Sequence, residues 1–95
     1  MPEREFHLGQ VVLSLRGRDR GRHYLVLRIL GERLVAVTDG DKHKVSAPKK
    51  KNVRHLAPLE MTAEAIARKL AVGAQVTDAE IRGALRSLTQ IAEGG

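Results

Sequence analysis

The spacing of apolar residues changes near Pro58, and this change constrains the fold more than any other feature of the sequence. Before it, residues 10–16, with the sequence QVVLSLR, place apolar side chains at alternate positions, which is the two-residue period of a β-strand. After it, apolar residues recur every three or four positions, which is the period of an amphipathic helix. The pattern therefore predicts a β domain over residues 1–58 and a helical extension over residues 59–95.

Several short segments of the β domain have the strand pattern. They are bounded by turn signals, of which Asp39-Gly40 is a pair favoured in tight hairpin turns. The predicted strands are residues 10–16, 22–30, 34–38, 44–47 and 53–56. Strands this short and this closely spaced are typical of a small β-barrel.

Two helices are predicted in the extension. Thr62 is the expected N-cap of the first helix, which ends at Gly73. The second begins with TDAE, residues 77–80, whose Thr-x-x-Glu spacing is that of a capping box. Its apolar stripe consists of Ile81, Ala84, Leu85, Leu88 and Ile91. Such a stripe needs an apolar partner, which is either the β domain or another protein.

The charge of the chain is concentrated in the β domain. The net charge is +6, and residues 1–58 hold thirteen Lys and Arg against six Asp and Glu, while residues 59–95 hold four against five. A basic domain with a nearly neutral extension is typical of nucleic-acid binders, although membrane surfaces and acidic proteins attract the same charge. The extension is therefore expected to be separable from nucleic-acid binding.

Other features exclude whole classes of function. The chain has no cysteine, which removes disulfides, thiolate chemistry and the commonest zinc ligands. Its four histidines have no metal-ligand spacing, and no pair of side chains resembles a general acid and base. We expect no enzymatic activity, metal, cofactor or small-molecule substrate. The charged first ten residues lack the apolar segment of a signal peptide, and no apolar stretch reaches about 18 residues. We therefore expect a cytoplasmic protein without membrane contact.

The loop GRDRGR, residues 17–22, separates the first two strand patterns. A disordered arginine-glycine tract would need many copies and polar flanks, and a catalytic phosphate loop would need Gly-x-x-x-x-Gly-Lys-Ser/Thr before a helix. A hairpin tip remains, with glycines at positive φ and alternating arginines extended to one side, where their forked donors match phosphate oxygens. A solvated tip without a partner is the competing interpretation. The nearby aspartates Asp19, Asp39 and Asp41 are expected to accept hydrogen bonds from local backbone donors.

The stretch GQVVLSLRGRDRGRHYLVLRIL, residues 9–30, resembles the KOW motif, a strand, a basic loop and a second strand within an SH3-like barrel. Residues 35–56 extend the similarity to bacterial KOW-domain RNA-binding proteins related to a ribosomal large-subunit protein. The resemblance implies binding to RNA, with ribosomal RNA or the ribosome as the expected partner and translation as the expected context. The positions that match structural turns of the family are Gly17, Gly21, Asp39 and Gly40.

We therefore expect a mainly β protein, a small SH3-like barrel of the KOW type with a two-helix C-terminal extension, that binds RNA without catalysis. The GRDRGR loop and the basic run PKKKNVRH, residues 48–55, are expected to contact phosphates. The first group of candidates is Arg16, Arg18, Arg20, Arg22, Lys49, Lys50 and Lys51. The second group is Lys42, Lys44, Arg54 and His55.

The chain has one Phe, one Tyr and no Trp, too few rings for a platform on which bases could stack. We therefore expect folded RNA, recognised through its backbone and shape. The alternative function is a protein-interaction module that docks on RNA polymerase or a ribosomal protein. In that case the contact is expected through Ile81, Leu85 and Leu88.

Overall fold

The computed structural model describes residues 6–93, and side chains through residue 90. Within that part the strands come first and two α-helices follow. The elements are β1 (Gln10–Ser14), β2 (His23–Ile29), β3 (Leu34–Thr38), β4 (Lys49–Asn52), a 3-10 turn (Val53–His55), β5 (Leu56–Thr62), α1 (Glu64–Ala71) and α2 (Asp78–Glu93). The prediction of a mainly β chain with two C-terminal helices is confirmed.

The strands form one antiparallel sheet in the order β4, β3, β2, β1, β5. In β1 and β2, Val12 lies opposite Tyr24, as the predicted hairpin requires. The last strand does not pair with the one before it. It returns to the outer side of β1, where Leu56 lies opposite Ser14. β4 and β5 are therefore the two edges of the sheet although they are neighbours in the chain.

The predicted closed barrel is wrong, because no ladder joins β4 to β5 in residues 6–93. The sheet is nevertheless strongly bent. A flat five-stranded sheet would hold its edges about 19 Å apart, given a strand spacing of about 4.8 Å. The four steps from Asn52 to Leu56 span at most about 14 Å. Register shifts in the β1–β5 and β2–β3 pairings add local bends of the kind that bulges make.

The position of β4 corrects the predicted fourth strand. Residues 44–47 form a turn, in which the Ala47 amide donates to the Lys44 carbonyl (2.9 Å), and the sheet continues instead with KKKN. A strand of four polar residues has no apolar alternation, so the sequence pattern did not indicate it. Its inward position is filled by Lys51, which is only 8% exposed.

The predicted strand over residues 53–56 is also wrong for its first three residues. They form the 3-10 turn, and the Asn52 side chain caps it by accepting from the Arg54 amide (2.9 Å). β5 begins at Leu56 and continues to Thr62, across the position of the predicted boundary at Pro58. Proline fits here because an edge strand leaves one row of amides unpaired.

The two faces of the sheet bury separate apolar clusters. One cluster joins Val12, Tyr24, Val26, Val35, Val37 and Leu56. The other joins Val11, Leu25 and Leu27 of the sheet to Ala63, Ile66, Val76, Ile81 and Leu85 of the helical part. The helices therefore complete the core by covering one face of the sheet. The predicted docking stripe is largely used in this way, since Ile81 and Leu85 are buried and Leu88 is partly buried.

The helix ends agree with the sequence in two places out of three. The Thr77–Glu80 capping box is confirmed, because the Glu80 amide donates to Thr77 Oγ1 (3.1 Å) and the Thr77 amide donates to Glu80 Oε1 (2.9 Å). Gly73 follows α1 with a φ of +75°, as predicted for a helix end. The predicted cap Thr62 is wrong, because it belongs to β5 and the N-cap is Ala63.

Candidate nucleic-acid interface

The loop between β1 and β2 folds back on itself. The Gly21 amide donates to the Ser14 carbonyl (2.8 Å) and the Arg22 amide to the Asp19 carbonyl (2.9 Å). The predicted positive φ is confirmed at Gly17 and Gly21, both at +90°. The predicted extended arm is wrong. Because the loop is a series of tight turns, its central acidic residue points inward while Arg18 and Arg20 stay exposed.

Asp19 is the centre of a buried polar cluster, which we call the Asp19 hub. Tyr24 Oη donates to its Oδ2 (2.8 Å) and Ser14 Oγ donates to its Oδ1 (3.1 Å). The ammonium groups of Lys51 and Lys49 lie 3.4 and 3.5 Å from the carboxylate oxygens. The expectation that Asp19 accepts from local backbone donors is therefore wrong. Its partners are side chains from β1, β2 and β4.

The Asp19 hub shifts the proton affinities of its members. Burial opposes ionisation of Asp19, but the hydrogen bonds from Tyr24 and Ser14 and the charges of Lys51 and Lys49 outweigh it, and the pKa of Asp19 is held well below its ordinary value. Burial and the adjacent carboxylate raise the pKa of the Tyr24 hydroxyl above its ordinary value. The hub therefore contains an ionised carboxylate and a neutral phenol throughout the physiological range.

The three lysines of β4 have different roles. Lys51 is 8% exposed and also donates to the Arg16 carbonyl (3.3 Å), so its charge stabilises the loop from inside. Lys49 is partly exposed and shares the Asp19 carboxylate. Lys50 is exposed on the opposite side of the strand, as the alternation of a strand requires. The structure thus leaves Lys50 open to a ligand and ties its two neighbours to Asp19.

A depression of about 170 Å³ lies over the Asp19 hub. It brings together four parts of the chain, namely the GRDRGR loop, β2, the turn after β3, and β4. Its lining consists of Arg18, Asp19, Arg22, Tyr24, Lys42, His43 and Lys49. Four Lys and Arg side chains therefore border one small cavity, which Asp19 and Tyr24 of the hub also line. We call this the basic depression.

The turn after β3 is held by its aspartate. Asp39 Oδ1 accepts from the amides of Asp41 and His43 (both 2.9 Å), which confirms the local role expected of it. Its Oδ2 lies 3.7 Å from Arg22 Nη1, so the same carboxylate orients a loop arginine. Gly40 has a φ of +74°, as the predicted structural turn requires. Asp41 is exposed, and the expectation that it accepts from backbone donors stays a prediction.

The other candidates lie outside the basic depression. Arg16, Arg20, Lys44 and Arg54 are exposed, and His55 is partly buried. The His55 carbonyl accepts from the Leu15 amide (2.9 Å), which joins the 3-10 turn to the start of the GRDRGR loop. Arg54 and His55 therefore border the loop at its base, Arg16 directly precedes it, and Arg20 belongs to it.

A larger groove, about 420 Å³, lies between α1 and α2. Its walls include Ile66, Ala84 and Leu88, and the carboxylates of Glu64 and Glu80 belong to its lining. Negative side chains repel phosphate groups. The smaller basic depression is therefore the better candidate for an anionic ligand.

We expect the Asp19 hub to make the protein sensitive to acid. Folding lowers the pKa of Asp19, so its ionised form stabilises the fold at every pH above the ordinary aspartate pKa of about 3.9. This stabilisation is lost as the pH falls below that pKa. Urea unfolding at a series of pH values from about 7 to 2 measures the loss. Tyr24→Phe removes one donor to Asp19 and should make the decline shallower, whereas Asp41→Asn should preserve it. An identical decline in Tyr24→Phe and wild type would contradict the assignment.

Comparison with known proteins finds no family model that matches the chain and no curated protein that matches it. Among the side chains that the structure describes, no three from His, Asp or Glu are placed to hold a metal ion. Among the helices of residues 6–93, none has the length and apolarity that crossing a membrane requires.

Sequence analysis missed two contributors to this surface. The Asp19 hub could have been suspected from the equal spacing of Ser14, Asp19 and Tyr24 across a hairpin, since residues on either side of a tight turn come together. Arg82 is the other. It lies in the helical extension, yet its Nη1 donates to the Gly40 carbonyl (2.7 Å), and no local pattern in the sequence indicates that contact.

Proposed function

We propose that the protein binds folded RNA, with ribosomal RNA as the target, and that it acts without catalysis. The observation that carries the proposal is the basic depression, where cations from three chain segments lie around a buried, hydrogen-bonded hub. Arginine and lysine side chains around a small cavity suit phosphate oxygens, since guanidinium groups donate in a fork and ammonium groups act as point charges. The phosphate backbone supplies most of the affinity of such binders.

The aromatic residues favour folded RNA over a single strand. Sequence-specific readers of single strands stack bases on exposed rings. Tyr24 is fully buried, and its hydroxyl is bonded to Asp19. The only other Phe, Tyr or Trp side chain, Phe6, packs against the same apolar cluster. Recognition through phosphates, 2′-hydroxyls and shape is the mode that remains for such a surface.

The SH3-like and ribosomal parts of the proposal rest mainly on the KOW resemblance. An antiparallel hairpin with a basic, glycine-containing loop, followed by further strands of one bent sheet, supports the SH3-like assignment. The ribosomal target, the role in translation and the cytoplasmic location come from the resemblance and from composition alone. The rival function, docking on RNA polymerase or a ribosomal protein through Ile81, Leu85 and Leu88, is disfavoured because the first two pack against the sheet.

A salt titration tests the proposal. Each neutralised phosphate adds about 0.7 to 0.9 to the slope of log affinity against log salt, so four to six contacts give a slope of roughly −3 to −5. We expect this slope for structured ribosomal RNA between about 50 and 300 mM salt, with weaker binding to an unstructured strand of equal length. A slope near zero, or equal affinity for both RNAs, would contradict the proposal.

A further inference from the structure

We infer that helix α2 carries a second part of the RNA surface, through Arg82 and Arg86, which continues the basic depression across the turn after β3. The inference rests on the proposed function and extends it to the helical part of the chain. It differs from the expectation, drawn from the charge count, that the extension is separable from binding.

The start of α2 is packed onto the turn after β3. Asp78 Oδ1 accepts from the Val45 amide (2.7 Å), and Arg82 Nη1 donates to the Gly40 carbonyl (2.7 Å). A Cβ atom on Gly40 would lie 2.5 Å from the Asp78 carbonyl oxygen, so the helix and the turn are in direct backbone contact. This contact fixes the position of α2 relative to the turn that contributes Lys42 and His43 to the basic depression.

The contact also places Arg82 close to the GRDRGR loop. Arg22 is paired with Asp39 (3.7 Å), and Arg82 is bonded to the next residue, Gly40. One peptide unit, about 3.8 Å between Cα atoms, therefore separates the residues that the two guanidinium groups contact. Arg22 and Arg82 approach the same turn, one from the loop and one from the helix, and the side chain of Arg22 remains 44% exposed.

Helical geometry separates the arginines from the buried and acidic flanks of α2. Successive residues are rotated by about 100°, so Ile81 and Leu85 share the face that packs on the sheet. Glu80 lies on the flank toward α1, where it pairs with Lys69. Arg82 and Arg86 lie four residues apart on the opposite flank, one turn above the other.

Arg86 extends this flank beyond the turn. It is exposed, and it has no ion-pair partner in the part of the chain that the structure describes. A rise of about 6 Å over four residues separates it from Arg82 along the helix axis. Among the acidic side chains that the structure describes at the turn after β3 and the start of α2, Asp78 accepts from the Val45 amide and Asp39 pairs with Arg22, while Asp41 is exposed. The partner of this surface is therefore the same anionic backbone that the basic depression takes.

The test compares Arg86→Gln with Arg68→Gln, which removes an exposed arginine of α1. If the inference holds, Arg86→Gln makes the negative salt slope for structured ribosomal RNA flatter by about 0.7 to 0.9. Arg86→Lys retains the wild-type slope, and Arg68→Gln leaves the slope unchanged. Thermal unfolding of each variant checks that the fold is retained. Arg86 is the better probe than Arg82, because Arg82 also bonds the turn.

Three results would overturn the inference, and they are distinguishable. A wild-type slope in Arg86→Gln, beside a reduced slope when Arg18, Arg20 and Arg22 are replaced, would restrict the RNA surface to the β part and leave the proposed function standing. Equal losses in Arg86→Gln and Arg68→Gln would indicate a response to net charge alone. Absence of salt-dependent binding by the wild-type protein would remove the proposed function and the inference together.

Discussion

Replacing Asp19 by asparagine is expected to lower the free energy of unfolding by about 3 to 5 kcal/mol. The substitution keeps the shape of the side chain but removes the charge that faces Lys51, whose ammonium is buried 3.4 Å away. Without the carboxylate, the buried ammonium has lost its hydration and keeps only the Arg16 carbonyl as a partner. For a domain whose whole stability is of order 5 to 15 kcal/mol, this loss is large.

Urea unfolding at neutral pH measures this effect. Asp41→Asn is the matched control, because it removes the same charge from an exposed position two residues into the neighbouring turn, and it should change stability by less than about 0.5 kcal/mol. The double variant Asp19→Asn with Lys51→Met should recover part of the loss, since it removes the orphaned charge. Wild-type stability in Asp19→Asn would mean that the Asp19 hub does not hold the loop.

Replacing Arg18, Arg20 and Arg22 together by glutamine is expected to weaken binding to structured ribosomal RNA about 100-fold at 100 mM salt. The three guanidinium groups supply roughly two to three phosphate contacts, so the salt slope should become flatter by about two units. The slope is the change in log affinity per tenfold change in salt. With 1 M salt as the reference, a slope that differs by about two units gives a roughly 100-fold difference in affinity at 100 mM salt. The backbone of the loop depends on Asp19 and the two glycines rather than on these side chains, so the fold should be retained.

A second triple variant controls for net charge. Arg28, Arg33 and Arg68 are exposed and lie outside the basic depression, and their replacement by glutamine removes the same three charges. We expect a reduction of less than about half a unit in the salt slope for this variant, because distant surface charges are screened beyond about 10 Å at 0.1 M salt. If both triple variants lose affinity equally, the protein binds RNA through diffuse charge and has no localised site.

The structure also changes what is expected of the basic run in β4. Sequence analysis treated Lys49, Lys50 and Lys51 as equivalent phosphate contacts. Strand alternation and the Asp19 carboxylate make them unequal, so Lys50→Gln should flatten the salt slope slightly while Lys51→Gln should act mainly on stability. A buried lysine in a run of three could not be identified from composition, because the carboxylate that neutralises it lies 32 residues earlier in the chain.

The features that the sequence determined by itself are local ones. Short apolar segments bounded by turn signals specify β1, β2 and β3, and the two faces of these strands are buried in separate clusters. The Thr77–Glu80 capping box specifies the start of α2 from four consecutive residues. The positive φ values of Gly17, Gly21 and Gly40 follow from turn chemistry. Each of these depends on residues that are adjacent in the chain.

Apart from the β1–β2 hairpin, tertiary structure alone decided which of those elements meet. The open, bent sheet follows from the return of β5 to β1. Strand β4 forms because KKKN pairs with β3 and because Lys51 forms an ion pair with Asp19. The apolar stripe of α2 packs on the sheet, and this packing brings Arg82 to the turn at Gly40. These contacts join residues far apart in the chain, so their free energy depends on loop closure and on burial of the whole fold. No short pattern of residues encodes the total free energy of these long-range contacts. The candidate RNA surface therefore forms only when the whole chain has folded.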